Sequence, residues 1–443
     1  MVGKLDNQNQ RNFFTPSLVD FINPNHELAI LSAEIDWQSI ENKLGKFYSN
    51  TGKPSMPIRF MVGCLLLKRI YNLGDETLAD AWVTNPYMQF FTGEGHFQHS
   101  FPCDPSDFVH FRKRIGVKGI ESIFALSVKV HGRDAFSKTS LSDTTVQENN
   151  TTFPTDAKLA KKVIDRCNGI AKGERIAQRQ TYTRVSKQLV RDTFNSSHPK
   201  RAKKARSASK KLKTVSARLL RELERNMDVT QKEQYQKELT LMWKIVNQKR
   251  DTKDKIYSLY KPFTSCIAKG KAHKKYEFGN KTGLMINSKN LVIQAIDTFS
   301  GNPHDSRTIA PLLRQAKRNF NYQPKEVVYD RGGKGIKKIY NTEILTPSKP
   351  LKKDKEYTKR QKRKKFRRRA AIEPVISHLK EHFRMGKNYL WGTESPKLNA
   401  LLAASGWNLK KRMAIIKESI LWPFQYIVKL SINPFKSSLQ MAC

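Results

Sequence analysis

The sequence predicts an α/β core that is split by a basic helical insertion and preceded by an all-α domain. A first strand pattern lies at Thr139–Val146, where β-branched and small residues alternate. Strand patterns return only at Lys275–Ile286 and Leu291–Phe299, and the block between them has a helical composition. A strand–helix–strand–helix order follows, which is typical of a sheet covered by helices.

The later elements are predicted one by one. Asp305–Phe320 predicts a helix, and Glu326–Asp330 (EVVYD) a buried strand that ends at two glycines. Glu343–Pro347 predicts a further short strand. The run Lys352–Arg369, which holds twelve Lys or Arg residues, leads into a helix through Ile372–Phe383. No internal repeat is visible.

The N-terminal segment, up to about residue 135, predicts short helices. Pro57–Tyr71 is strongly apolar, Glu76–Trp82 follows a Leu-Gly break, and a capping residue and a proline precede Phe108–Ile115. Basic residues at 112–114 suit a small DNA-binding domain. They equally suit a plain helical bundle, and the periodicity leaves both interpretations open.

The block from about Asp156 to Lys255 predicts long helices, of which two could pair antiparallel. It lacks a dense apolar core signal, and Lys200–Lys213 alone holds eight Lys or Arg residues. We expect it to be an insertion into the sheet domain that contacts DNA phosphates. The alternative is a solvated charged helix without a partner.

Charge points to the kind of partner. The chain has 82 Lys+Arg against 39 Asp+Glu, a net charge of +43 and a pI near 10.1. Such an excess repels itself in a compact chain and is best tolerated beside a polyanion. Nucleic acid is therefore the expected partner, with binding that weakens steeply as salt rises. A generally basic, solvated surface is the alternative.

Cysteine usage and hydropathy bear on location. The five cysteines are widely spaced and form no C-x-x-C pair, which argues against a disulfide framework or a cysteine zinc site. No signal-peptide pattern is present. Apolar stretches such as Phe60–Leu67 fall short of the roughly 20 residues of a membrane span. We expect no membrane association and a cytoplasmic location.

Two aspartates stand where strands should be apolar. Asp330 follows Val327-Val328-Tyr329 and precedes glycine, so its carboxylate lies at the carboxyl end of a strand, where open α/β sheets place their sites. Asp143 shares a strand face with Leu141 and Thr145. Alone, Asp330 also fits a turn or capping residue, and Asp143 an edge-strand residue.

Glu373 supplies a third carboxylate. On one continuous helix, Phe366, Arg369, Glu373 and Lys380 return to the same face, so the glutamate is flanked by two cations. A simple i,i+4 ion pair with Arg369 is the alternative. Three converging carboxylates repel one another unless cations lie between them. Two Mg²⁺ ions about 3.5–4 Å apart would resolve this and would support in-line phosphoryl displacement.

These residues lie in segments that resemble the DDE transposases of bacterial insertion sequences, most closely the insertion-sequence-five group. The similar segments cover most of the chain, and the glutamate helix is the most specific match. They are Pro57–Gly93 for the N-terminal domain, Asp143–Leu159 for the first aspartate, His273–Gly279 for a core strand, Val328–Gly332 (VYDRG) for the second aspartate and Ala371–Gly392 for the glutamate helix.

The resemblance implies an RNase-H-like mixed sheet with flanking helices, and Asp143, Asp330 and Glu373 as the catalytic, metal-binding triad. Arg369 and Lys380 match the Arg and Lys of the family signature Tyr-x2-Arg-x3-Glu-x6-Lys, whereas Phe366 replaces its tyrosine. The implied reaction is Mg²⁺-dependent cleavage at transposon ends, with Mn²⁺ as a substitute, followed by strand transfer into target DNA. A homodimer on double-stranded DNA, in the bacterial cytoplasm at the nucleoid, is expected.

The expected function also predicts which residues contact DNA and where the domains begin and end. The DNA-binding residues expected are Arg369, Lys380, Arg331, Lys200, Arg201, Lys203 and Lys204. The expected domains are an N-terminal helical domain that binds the DNA ends at 1–135, the first part of the catalytic core at 136–157, a basic helical insertion at 158–270, the remainder of the core at 271–392 and a C-terminal helix and tail at 393–443.

Three rival readings remain. His378–His382 fits the H-x-x-E-H pattern of inverted zinc peptidases, although the motif is short and lies in a basic helix. A catalytically dead transposase-derived protein that only binds DNA is the alternative from another class. Among isolated residues, polar loop or strand positions are expected for His273, His304 and Asp305, and contact with metal or DNA is the alternative. Core packing is expected for Trp391, Trp407 and Trp422, and stacking on flipped bases at a cut DNA end is the alternative.

Overall fold

The computed structural model describes residues 1–3, 16–249, 251–269, 275–333, 335–347 and 355–432, with side chains to residue 420. His273 and the side chain of Trp422 lie outside these residues, as do 352–354 of the predicted basic run. None of the described helices combines the length and the apolar character that crossing a membrane requires.

The described part of the N-terminal region is mostly helical, as predicted. Its helices are α1 (Leu18–Phe21), α2 (Glu27–Glu34), α3 (Trp37–Gly45), α4 (Ile58–Ile70), α5 (Asp75–Thr84), α6 (Pro86–Thr92) and α7 (Asp107–Lys129). Nearly every residue of α4 is buried, because this helix is apolar all round and fills the centre of the region. Helix α7 extends the predicted Phe108–Ile115 and kinks at Gly116, where φ is 54°.

A helical insertion separates the first strand from the others. It contains α8 (Asp156–Gly173), α9 (Thr183–Asp192), α10 (Pro199–Asn226) and α11 (Val229–Asn247). Contrary to expectation, these helices share an apolar core that includes Val163, Leu212 and Leu219. The apolar residues of these helices recur every three or four positions among many Lys and Arg, so the segment does not look apolar in composition. One apolar stripe on each helix is nevertheless enough to form a core.

The described strands form one mixed, eight-stranded sheet. They are β1 (Thr139–Asn149), β2 (Ser265–Ala268), β3 (Tyr276–Asn287), β4 (Ile293–Phe299), β5 (Glu326–Val328), β6 (Lys338–Ile339), β7 (Thr342–Leu345) and β8 (Lys387–Asn388). The strand order is β2-β3-β1-β5-β7-β6, with β4 also on β3 and β8 also on β1. Strand β2 lies inside the segment 158–270, which was predicted as insertion, yet it pairs with β3.

Strand β1 lies inside the sheet and has both parallel and antiparallel partner strands. It pairs antiparallel with β3 and parallel with β5 and β8. Strand β3 pairs antiparallel with β4, and β5 pairs parallel with β7. The predicted mixed α/β sheet is thereby confirmed, although Glu326–Asp330 is strand only as far as Val328.

The C-terminal half adds α12 (Ser306–Phe320), α13 (Glu356–Arg369), α14 (Ile372–Glu381) and α15 (Ser395–Ile432). The single helix expected through Arg369 and Glu373 is wrong, since a turn at residues 370–371 separates α13 from α14. Pro374 accounts for the break. It has no N–H for a hydrogen bond to the Ala370 carbonyl, and it is tolerated only in the first turn of a new helix.

Helices cover both faces of the sheet. On one face, Met285 and Tyr329 pack with Leu312 of α12. On the other, Leu141 and Leu284 belong to the large core that includes α14, α15 and the N-terminal helices. Successive residues of each strand point alternately into the two cores. A charged strand residue is therefore expected near the end of a strand, where the helices no longer cover the sheet.

Candidate active site

Asp143 and Asp330 lie side by side on adjacent strands. The parallel pairing of β1 with β5 aligns Leu141 with Val328. Asp143 follows Leu141 by two residues, and Asp330 follows Val328 by two. Both carboxylates therefore emerge on the face that carries α14, one beyond the last paired residue of β5 and the other within β1.

The Asp143 carboxyl is in an unfavourable place for a negative charge. Its pKa is raised from 3.8 to about 6, chiefly by burial and further by the charges of Asp330 and Asp305. The Thr144 N–H, which donates to Asp143 Oδ1 at 2.7 Å, and the Arg369 guanidinium act in the opposite direction. Burial, with the neighbouring carboxylates, therefore outweighs the Thr144 hydrogen bond and the Arg369 guanidinium, and the charged form of Asp143 is destabilised.

Asp330 is held by the turn that follows β5. The Gly332 N–H donates to Asp330 Oδ1 at 2.8 Å, and the Gly333 N–H donates to the Asp330 carbonyl at 3.2 Å. A Cβ at position 332 would lie 2.9 Å from Asp330 Oδ1, closer than real Cβ contacts allow. Glycine at this position thus permits the turn to press against the carboxylate.

Glu373 joins the pair through Arg369. The Arg369 guanidinium contacts Asp143 Oδ2 at 3.1 Å with one terminal nitrogen and Glu373 Oε1 at 3.1 Å with the other. Glu373 is 62% exposed, whereas Asp143 is 17% exposed. Position 373 also lies in the first turn of α14, where the helix dipole favours a carboxylate.

The three predicted carboxylates are thus brought to one region but do not touch. The charge of Asp330 raises the pKa of Asp143, and Glu373 is linked to Asp143 by one guanidinium. Within the described part of the chain, no three His, Cys, Asp or Glu side chains are close enough together to hold a metal ion. Arg369 lies where a cation between Asp143 and Glu373 would lie.

Asp305 is a fourth carboxylate in this region, although a polar loop or strand position away from the site was expected for it. It immediately precedes α12, and its Oδ1 accepts a hydrogen bond from the Thr144 hydroxyl at 2.9 Å and pairs with Lys281 Nζ at 2.6 Å. Its Oδ2 lies 2.6 Å from a Cβ built on Gly332. The available signal was its position after a strand and before a helix, at the same end of the sheet as Asp330.

The other predicted contact residues differ in position. Arg331 is exposed directly after Asp330, and Lys380 is half-buried on α14, seven residues beyond Glu373. Residues Lys200, Arg201, Lys203 and Lys204 are exposed near the start of α10, in the insertion. Lys204 there pairs with Asp192 at 3.0 Å.

The rival motifs and the tryptophans have specific surroundings. His378 stacks on Trp407, with ring centroids 5.8 Å apart, and Trp407 donates its indole N–H to the Leu291 carbonyl. Core packing is therefore confirmed for Trp407. It is wrong for Trp391, which is 71% exposed because it follows the end of β8, outside both cores. His304 is an exposed loop residue that contacts Ser306, as expected.

Comparison with known families gives two matches. The profile described as "Transposase domain (DUF772)" matches residues 16–114, and the "Transposase DDE domain" matches residues 243–409, which include Asp330 and Glu373. A Rhizobium meliloti protein printed as "Uncharacterized protein ORF8 in nfe locus" is 37% identical over 186 residues, 41% of this chain and 90% of that protein. No solved structure matches.

Two carboxylates side by side where strand β5 ends, on a strongly basic chain, fit the class of enzymes that act on nucleic acid phosphates. The matches make the class specific: the chain belongs to the DDE transposase family of insertion sequences. Its function is DNA transposition, its substrate is DNA, and the family uses divalent metal ions. Asp143 lies between the two matched segments and outside both.

Proposed function

We propose that Asp143, Asp330 and Glu373 are the catalytic triad of this transposase, acting in cleavage at transposon ends and in strand transfer into target DNA. The observation that carries the proposal is the parallel register of β1 and β5, which sets two carboxylates side by side at the end of a strand. The Arg369 bridge supports the inclusion of Glu373, since it ties a helix-borne carboxylate to the strand-borne pair.

The proposed core is RNase-H-like. A mixed sheet with helices on both faces, interrupted by a helical insertion after β1, agrees with the arrangement that the resemblance implies. The N-terminal helices pack into one apolar core with α14 and α15. End-binding residues on those helices would therefore keep a fixed position relative to the triad.

We further propose two Mg²⁺ ions, with Mn²⁺ as a substitute, held by the three carboxylates. Oxygen donors of this kind suit hard divalent cations, and such a cation would stabilise the charged form of Asp143, whose pKa is raised chiefly by burial. Bound there, the ions would activate the attacking hydroxyl and neutralise the leaving oxygen. The carboxylates fit this task only after Arg369 withdraws from between Asp143 and Glu373.

Arg369 has an alternative partner in the substrate. A guanidinium binds phosphate through the same forked geometry with which it binds carboxylate. The turn at residues 370–371 lies directly after Arg369 and separates it from the buried anchors of α14, Ile372 and Val375. We propose that a DNA phosphate draws Arg369 off the carboxylates, while Lys380 and Arg331 contact neighbouring phosphates.

Other contacts to DNA are sequence-independent. The exposed cations of α10, among them Lys200, Arg201, Lys203 and Lys204, are proposed to bind the backbone of double-stranded DNA at terminal inverted repeats or target. Pairing two transposon ends requires two active sites, so a homodimer on DNA is proposed. The substrate also implies action at the bacterial nucleoid in the cytoplasm.

Asp330→Asn tests the triad. Loss of one metal-binding oxygen should reduce cleavage by at least about a thousandfold, because ions at such sites supply several kcal/mol of transition-state stabilisation. Affinity for the same DNA should stay unchanged. The measurement is cleavage and binding of a labelled fragment that spans the DNA flanking the coding region, with Mg²⁺ present for cleavage.

Glu343→Gln is the matched control, since Glu343 is an exposed carboxylate on β7 of the same sheet. It should cleave at the wild-type rate. Cleavage by Asp330→Asn at a comparable rate would refute the assignment. A wild-type chain that binds the ends and never cleaves them would instead favour the DNA-binding alternative, which none of the described site geometry supports.

A further inference from the structure

A cleft of about 790 Å³ lies between the N-terminal helices and the segment that follows α14. Its walls come from α4, α5 and α7 on one side and from residues 384–399 on the other. Four cations line it on the helical side, Lys68, Arg69, Arg112 and Lys113, and the first three are buried. The proposed triad uses none of these residues.

The buried charge of this cleft is unbalanced. Lys68, Arg69 and Arg112 are each less than 8% exposed, and Asp75 is the carboxylate among them. Asp75 pairs with Lys68 and, at 3.3 Å, with Arg112. Burial lowers the pKa of Lys68 to about 8 and that of Arg69 to about 9, each with a contribution from neighbouring cations.

Arg69 has only neutral partners among the described residues. Its terminal nitrogens donate to the Phe383 carbonyl at 3.1 Å and to Asn399 Oδ1 at 2.8 Å, and its Nε has no hydrogen-bond partner. A structural role, in which Arg69 links α4 to the C-terminal segment, would account for the hydrogen bonds of its two terminal nitrogens. It does not explain why three cations converge on one carboxylate, since uncompensated buried charge destabilises a fold.

The rim of the cleft is aromatic. Trp391 is 71% and Tyr389 53% exposed, and both line the cleft. Tyr260 stands edge-on to Trp391 with ring centroids 6.4 Å apart, and Lys387 lies over the Tyr389 ring at 5.9 Å. Exposed aromatic faces beside a cationic floor are the combination that binds single-stranded nucleic acid, where bases stack and phosphates pair with cations.

The cleft is close to the proposed triad along one strand. Strand β8 forms part of its wall and pairs with the end of β1, at Glu148 and Asn149. Asp143 precedes Glu148 by five residues on β1, about 17 Å at the usual strand rise. A DNA strand that leaves the proposed catalytic edge would reach the cleft within a few nucleotides.

We propose that this cleft binds an unpaired segment of the DNA strand near the cleavage site, with a phosphate on the Lys68–Arg69–Arg112 floor and a base stacked on Trp391. Within a duplex, each base face is covered by its neighbours, so the aromatic rim selects unpaired nucleotides. The assignment of the ligand rests on the chain's function on DNA. Only the placement beside the cleavage site rests on the proposed triad.

The test compares Trp391→Ala with the wild-type chain in binding to two DNAs of the same sequence, one blunt and one with a three-nucleotide single-stranded overhang. Fluorescence anisotropy without divalent ions keeps the measurement independent of catalysis. The wild type should prefer the overhang. Trp391→Ala should weaken overhang binding by about five- to a hundredfold, the range for loss of one stacked base, and leave blunt binding unchanged.

Two variants complete the design. Trp391→Phe keeps an aromatic face and should retain most of the preference. Phe194→Ala removes an aromatic residue that is 70% exposed in the insertion and should change neither affinity. Equal weakening on both DNAs, or no weakening with the overhang, would overturn the proposal. Failure of Asp330→Asn to stop cleavage would refute the triad while leaving this binding result intact.

Discussion

The proposed catalytic site and the cleft are opposite in charge and alike in construction. At the proposed catalytic site, Arg369 bridges Asp143 and Glu373, and the charge of Asp330 acts on Asp143. In the cleft, the three buried cations share one carboxylate, Asp75, which pairs with two of them. Among these named residues, each cluster therefore holds more charge of one sign than of the other.

The difference indicates which partner each cluster serves. A fold gains nothing in stability from leaving like charges together, because uncompensated charge near the interior is costly. Excess carboxylate at the proposed catalytic site suits divalent cations, and excess cation in the cleft suits phosphate. In a DNA-cleaving enzyme, divalent cations and phosphates bind close together, since both are needed at the DNA strand that is cut.

Asp75→Asn should have the largest effect on stability. The change leaves Lys68 and Arg112, which are less than a tenth exposed, without their counter-charge. Removing one partner of a buried ion pair costs about 3–5 kcal/mol. Urea unfolding of the full chain, at neutral pH and low salt, should show this loss as a lower midpoint with an unchanged slope.

Asp165→Asn is the matched control, because Asp165 pairs with Lys161 on the surface of α8 and is 46% exposed. It should cost less than about 0.5 kcal/mol. If the two variants lose similar stability, the cleft cations are well solvated and the contrast between the two regions disappears.

The sequence pattern predicted the strands and drew attention to Asp143 and Asp330, because both features depend on residues that are neighbours in the chain. Alternation marks β1, β3 and β4, and Asp330 is conspicuous because it ends an apolar strand before glycine. The cleft could not be predicted, since Arg69 and Asn399 meet across 330 residues of chain. Asp305 was not assigned to the site for the same reason: the sequence indicates only a polar loop or strand position, and the fold brings it to Gly332.

Asp143→Asn should stabilise the chain in the absence of divalent ions. The folded-state pKa of Asp143 is raised to about 6, so ionisation opposes folding. The cost is absent below the unfolded pKa near 3.8 and complete above about 6. The variant should therefore be about 2 kcal/mol more stable at about pH 8 with a chelator, and equal to the wild type near pH 4.

The comparison for this prediction is Asp297→Asn. Asp297 is similarly enclosed, at 18% exposure, but pairs with Lys397 at 2.9 Å. Losing that ion pair should destabilise the chain, so the two variants should shift the thermal midpoint in opposite directions at about pH 8. A lower midpoint for Asp143→Asn would mean that the Arg369 contact outweighs burial and the repulsion from Asp330.

Gly332→Ala should have the smallest effect on stability and a selective one on cleavage. The new Cβ would lie 2.6 Å from Asp305 Oδ2 and 2.9 Å from Asp330 Oδ1, so both carboxylates must move. Side-chain ends can shift at little cost, and stability should fall by no more than about 1 kcal/mol. Cleavage should fall about tenfold or more, because small displacements of catalytic groups are costly.

Gly169→Ala provides the control, since a Cβ at that helical position meets nothing within 4 Å. It should preserve cleavage and unfold at the same urea concentration as the wild type, or slightly higher, because alanine favours a helix. Wild-type cleavage by Gly332→Ala would show that Asp330 works from a displaced position and that Asp305 has no part in holding it. Because the substitution neither adds nor removes a charge, a cleavage defect would be caused by displacement of the carboxylates. That result would support the proposal that the position of these carboxylates, and not only their charge, matters for cleavage.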